Sequence, residues 1–160
     1  MSAPFKIVLV HPEIPGNTGS IGRTAVALGV ELILIHPLGF DLSEKAVRRA
    51  GLDYWKHVQL KEYANFDDFM KQEAPKREQL FFFSRFAKTV YYKANFCEGA
   101  YVIFGAETKG LPTSITEEFS DRSYVLPTFS PHIRSLNLAN TATAVTFEVL
   151  RQLRYCGEGL

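Results

Sequence analysis

The stretch Ser130-Pro-His-Ile-Arg-Ser-Leu-Asn-Leu-Ala-Asn140 carries irregular chain into a helix. Leu138, Ala142, Val145, Val149 and Leu153 recur at steps of four, three, four and four. That spacing is one buried helix face. Just upstream, Ser123-Tyr-Val-Leu-Pro127 reads as an extended segment ended by proline. Strand, polar loop and core-facing helix together form a unit of an α/β domain. Ligands in such domains gather where an irregular loop becomes a helix. Arg134, Ser135, Asn137 and Asn140 all cluster at that point. An N-cap role suits Ser135 or Asn137, but explains only one of the four.

The chain upstream keeps the same alternation. Phe5–Val10, Glu31–His36, Val58–Tyr63, Gln79–Ser84, Ala100–Phe104 and Tyr124–Leu126 read as short strands, most of them apolar throughout. Continuous apolar runs imply strands covered on both faces, hence a parallel sheet of about five or six strands. A helix capped by Asn17 or Thr18 runs to Leu28 and stops at Gly29. Further helices are expected from Ser43 to Arg49, from Phe66 to Glu73, and from a capping box at Ser114-Ile-Thr-Glu117. Gly19 and Gly22 lie three apart, early in the first helix. Each costs about 1 kcal/mol relative to alanine there, which implies that something approaches that face closely.

The 160 residues suit one domain spanning 1–160, with a single substantial core. A net charge of +1 argues against binding nucleic acid by bulk basicity, so any RNA contact must use a local patch. Arg48, Arg49, Arg85, Lys88, Lys93, Arg151 and Arg154 are the candidate cations, although solvated faces are their commoner use. Cys97 and Cys156 form no CxxC pair, so neither a zinc site nor a disulfide framework is expected. No signal peptide or apolar run long enough to span a membrane is visible, and a cytoplasmic protein is the simple reading.

Two glycine-rich turns follow strands. Gly16-Asn-Thr-Gly-Ser-Ile-Gly22-Arg23 stands where a dinucleotide fingerprint would, but its spacing is GxxGxxG, and His36 rather than an acid ends the second strand. Asn17 and Arg23 present polar groups near that helix start, and Arg23 suits a phosphate or ribose contact. Phe104-Gly-Ala-Glu-Thr-Lys-Gly-Leu-Pro112 contains GxxxxG without the Lys-Ser/Thr of a P-loop. Its backbone amides could hold an anion or read an adenine edge; a plain surface turn explains the segment equally well. His11, His36, His57 and His132 have no triad spacing, and the Gly-x-Ser-x-Gly elbow of a hydrolase is absent.

Together, Glu13-Ile-Pro-Gly-Asn-Thr-Gly-Ser-Ile-Gly-Arg23, Phe104–Pro112, and Leu126-Pro127 followed by Arg134-Ser-Leu-Asn-Leu-Ala-Asn140 resemble the three motifs of the SPOUT superfamily. The likeness is to its RNA ribose 2′-O-methylating branch, and most closely to the small TrmL (YibK-like) tRNA enzymes. His36–Phe40, Arg48–Tyr54 and the ending Arg151-Gln-Leu-x-Tyr155 are also family-like. The resemblance implies a SPOUT-type sheet with a deep C-terminal trefoil knot, a homodimer, and S-adenosylmethionine as cofactor with no metal. It implies a cofactor pocket at Phe83, Gly105, Leu126 and Ser135, with catalytic roles for Arg23 and Asn140. Asn17, Arg48, Arg49 and Arg134 would meet a tRNA anticodon loop at the wobble nucleotide, position 34. Where the family usually carries a smaller aliphatic residue stands Phe83, and where a tyrosine is common in the last helix stands Phe147. The alternatives are a ribose methyltransferase acting on rRNA or another tRNA position, an RNA-binding module of the same fold without catalysis, and a nucleotide-binding oxidoreductase.

Overall fold

The computed structural model describes residues 3–43 and 53–153. Seven parallel strands form one sheet in the order β3-β2-β1-β6-β4-β7-β5. They are β1 Phe5–Val10, β2 Glu31–Ile35, β3 Gln59–Tyr63, β4 Leu80–Phe83, β5 Thr89–Val90, β6 Ala100–Phe104 and β7 Ser123–Val125. The helices are α1 Pro15–Leu28, α2 Phe66–Glu73, α3 Thr113–Glu118 and α4 Leu138–Leu153. The helix expected from Ser43 to Arg49 lies outside the described residues.

Period-two alternation splits the sheet's side chains between two cores. Ile7, Leu9, Phe81, Phe83, Val102 and Phe104 point toward α1 and α4, meeting Ile21, Ala25, Ala142, Val145 and Val149. Val8, Val10, Leu80, Phe82 and Ile103 point the other way, onto Phe69, Ile115 and Phe119. Phe82 stacks on Phe119 with ring centroids 4.6 Å apart. Each such side chain contributes about 1.5–3 kcal/mol on full burial, which is why the apolar runs were legible as covered strands.

Three local expectations change. The first helix starts earlier than Asn17 or Thr18, at Pro15, and neither side chain caps it. Thr18 is buried on the helix instead. The Ser114 capping box does not form: α3 begins at Thr113, and the Pro112 carbonyl accepts the first bonds, from the amides of Ile115 and Thr116. Two residues, Thr89 and Val90, add a seventh strand beside β7. Of the paired glycines of α1, Gly22 marks a close approach. A Cβ on Gly22 would stand 2.6 Å from the Trp55 ring. The Tyr54 hydroxyl donates to the Gly19 carbonyl at 2.8 Å.

α2 ends in a part-buried ion cluster. The Glu73 side chain is 7% exposed and accepts from Lys6 Nζ at 2.7 Å, Tyr63 Oη at 2.6 Å and Tyr101 Oη at 2.8 Å. Glu31 bridges Lys6 and Lys61, both at 3.1 Å. Burial alone would raise the Glu73 carboxyl, but hydrogen bonds from Lys6, Tyr63 and Tyr101 outweigh it and bring it down to about 2. Its contribution to stability is therefore complete above its ordinary value of 4.5 and is lost as pH falls toward 2. Glu73→Ala is expected to cost about 1–3 kcal/mol, because Lys6, Tyr63 and Tyr101 lose a shared acceptor and only Glu31 still pairs Lys6. Urea unfolding of wild type should lose more stability between these two pH values than Glu73→Gln does. Parallel losses would refute the assignment.

Candidate active site at the carboxyl edge of the sheet

Because every strand is parallel, the chain leaves β4, β6 and β7 along one edge, the edge where open α/β sheets bind ligands. Phe83 pairs in register with both Phe104 and Tyr124, so Gly105 and Leu126 emerge beside it. An open cleft of about 840 Å³ lies there, lined by segments 83–87, 104–111, 124–129 and 133–138 together with Ile14 and Asn17 of the first motif. Phe83, Gly105, Leu126, Ser135, Asn17 and Arg134 all line it.

The walls have distinct causes. Phe83 stacks on Phe104 with centroids 5.0 Å apart, giving a flat aromatic wall that is 7% exposed. The loop after β6 folds back as a tight turn, closed by Ala106 N–H to Gly110 carbonyl at 3.2 Å and Gly110 N–H to Ala106 carbonyl at 2.9 Å. Gly110 takes a φ of 67°, in the left-handed region that favours glycine. A Cβ on Gly105 would collide with the backbone of Gly110 and Leu111. The second motif is thus both a turn and a cradle.

One hydrogen-bond network ties the three motifs together. Ile14, at the N-cap of α1, brings no capping side chain of its own. The Glu107 carboxylate reaches across instead and accepts from the Glu13 amide at 2.7 Å, the Ile14 amide at 3.1 Å and Asn17 Nδ2 at 3.4 Å. A carboxylate at this helix end is also favoured by the helix dipole. Reciprocally, the Thr108 hydroxyl donates to Glu13, with oxygen separations of 2.7 and 2.8 Å. That hydroxyl holds the Glu13 carboxyl below its ordinary value. Asn137 completes the circuit. Its Oδ1 caps α4 by accepting from the Asn140 amide at 3.2 Å, and its Nδ2 donates to Asn17 Oδ1 at 3.1 Å.

Of the four polar residues at the start of α4, Asn137 is therefore the cap, while Arg134 and Ser135 face the cleft. Arg23 and Asn140 are exposed and are not among the lining residues. They sit instead on α1 and α4, which pack together with Thr24 Oγ1 3.5 Å from Thr143 Oγ1. Arg48 and Arg49 lie outside the described residues. Glu13, Glu107 and Thr108 were given no site role from sequence. Their one legible signal is an acid in each of the first two motifs. No group of three His, Cys, Asp or Glu side chains able to hold a metal ion occurs among the described residues. No helix there is long and apolar enough to cross a membrane.

Comparison with known proteins bears on this geometry. A tRNA (cytidine(34)-2′-O)-methyltransferase from Saccharophagus degradans is 42% identical over 153 residues, 96% of this chain and 98% of the relative. The solved structure of a protein from Bacillus anthracis superposes with a TM-score of 0.88 at 38% identity, covering 98% of both chains. A structure solved to explain 2-OH methylation of C/U34 on tRNA superposes with a TM-score of 0.80 at 44% identity, covering 92% of this chain and 95% of that one. Residues 4–147 match the SpoU rRNA Methylase family. With its whole sheet, cleft and three linked motifs inside or touching that span, this chain belongs to the SpoU rRNA Methylase family.

Proposed function

We propose that this protein uses S-adenosylmethionine to methylate the ribose 2′-oxygen of the wobble nucleotide of tRNA, a cytidine or uridine at position 34. The observation that carries the reading is the cleft at the carboxyl edge, where the Gly105 cradle, the Phe83 wall and the start of α4 meet. Full-length likeness to enzymes named for that reaction supports the substrate.

The lining fits the cofactor. A space of about 840 Å³ holds a nucleoside with its amino-acid tail. Phe83 and Leu126 supply apolar walls, Gly105 lets backbone groups approach an adenine edge, and Ser135 adds a hydroxyl-bearing residue to the lining. When bound, S-adenosylmethionine would supply a methyl group on a positively charged sulfur; the ribose 2′-oxygen would take it in line as the S–CH3 bond breaks to a neutral thioether, with the hydroxyl proton passing to water. The chain's own work is alignment and charge stabilisation. Alignment alone is worth about 7–11 kcal/mol in well-oriented systems. A guanidinium keeps its proton at physiological pH, so Arg23 is assigned to stabilising the developing 2′-oxyanion and a neighbouring phosphate, with Asn140 beside it.

Arg23 and Asn140 reach a cleft in this reading only across a dimer, in which one subunit's α1 and α4 face its partner's cleft. Exposed apolar residues support such a contact: Ile14 is 45% and Phe147 54% exposed, the latter on α4. A deep knot is supported by strand order. β7 lies between β4 and β5, yet β4 and β5 are joined directly by residues 84–88. That link has to bridge the strand that leads into α4, as a threaded C-terminal helix requires. Asn17, Arg48, Arg49 and Arg134 are assigned to an unpaired anticodon loop, the kind of RNA that proteins read with specificity, in the cytoplasm.

The test is methyl transfer to bulk tRNA, with the modified nucleotide mapped by mass spectrometry. A 2′-O-methyl group at position 34 is expected. Transfer confined to rRNA or to another tRNA position overturns the assignment.

A further inference from the structure

We propose that Tyr54 is a positioning residue that holds the Arg23 guanidinium ready for the ribose. The inference rests on the reading of Arg23 as the group that meets the reacting oxygen. The guanidinium carbon of Arg23 lies 5.4 Å from the centroid of the Tyr54 ring. Arg23 makes no hydrogen bond or ion pair with the described residues, so the ring is the contact that orients it. This arrangement has a chemical advantage. A carboxylate partner would occupy the N–H donors and neutralise the charge. A ring face attracts the cation through its quadrupole and leaves the donors at the guanidinium edge free for an oxyanion or phosphate.

The ring is itself held to α1. Its hydroxyl donates to the Gly19 carbonyl at 2.8 Å, one turn before Arg23 on the same helix. Burial pushes the phenol up from its ordinary value, and Arg23 only partly opposes that, so the hydroxyl keeps the proton it donates. Trp55, the next residue, packs close against Gly22, where a Cβ would stand 2.6 Å from its ring. Gly19, Gly22, Tyr54 and Trp55 thus form one joint that brings segment 53–57 onto α1 beside Arg23. Gly22 serves this joint by lacking a Cβ, and Gly19 by its carbonyl.

The experiment is a double-mutant cycle read by single-turnover methyl transfer to tRNA, with cofactor affinity by calorimetry. Tyr54→Leu is expected to lower the transfer rate about tenfold, with KM for tRNA and Kd for S-adenosylmethionine within about twofold. Tyr54→Phe, which keeps the ring, is expected to stay within about threefold of wild type. In an Arg23→Ala background Tyr54→Leu should have no further effect. An equal loss in that background, or no rescue by phenylalanine, marks a merely structural residue and overturns the proposal. Normal turnover by Tyr54→Leu beside a crippled Arg23→Ala overturns the role of Tyr54 alone. Normal turnover by Arg23→Ala overturns the reading of Arg23 and this proposal with it.

Discussion

Arg23→Ala is expected to slow methyl transfer about 10²–10³-fold, the scale of removing one donor from a developing oxyanion. Cofactor affinity should stay within about twofold, because Arg23 is assigned to the ribose oxygen and a phosphate of the RNA rather than to the cofactor. Stability should be nearly unchanged, since an exposed side chain on α1 contributes little to packing. Arg23→Lys separates charge from geometry. Lysine keeps the point charge but cannot present a planar fork of donors. Near-normal turnover by Arg23→Lys would contradict a specific guanidinium role.

Gly105→Ala is expected to cut S-adenosylmethionine affinity by more than about tenfold and to destabilise the fold by about 1–3 kcal/mol. The cause is steric. The added Cβ falls on the backbone of Gly110 and Leu111, which cannot swing aside as a flexible side chain would. The second motif would have to open, and the amides that shape the cleft would move with it. Titration calorimetry and denaturant unfolding measure the two effects. Unchanged affinity would show that the turn is only a surface connection. The same variant tests the dimer. Mixed with Arg23→Ala subunits, it should restore activity if Arg23 serves the partner's cleft, because one site of each mixed dimer is then intact. If both residues served one site of one subunit, mixing would restore nothing.

The strands were legible because both faces of the sheet are buried, so β1, β2, β4 and β6 are apolar at nearly every position. Thr89–Val90 has no such pattern, and its pairing is set by the position of β7. Helix starts were less legible for a physical reason. Local capping rules look three residues ahead, whereas the Glu13 and Ile14 amides just before α1 are satisfied by Glu107, more than ninety positions away. The cleft residues Phe83, Gly105, Leu126, Ser135, Asn17 and Arg134 were placed by their motifs, since a parallel sheet brings its strand ends to one edge. Tyr54 was visible only as part of a family-like stretch. Its meaning depends on the packing of 53–57 against Gly19 and Gly22, which no spacing along the chain reveals.

The ribose 2′-oxygen at position 34 is the proposed nucleophile. The most direct measurement compares methyl transfer to a tRNA carrying a single 2′-deoxy nucleotide at position 34 with transfer to the same tRNA left intact. Transfer should fall to background for the deoxy substrate while its binding stays within a few-fold, because only the nucleophile is missing. Undiminished transfer would contradict the claim that this cleft methylates the ribose of the wobble nucleotide.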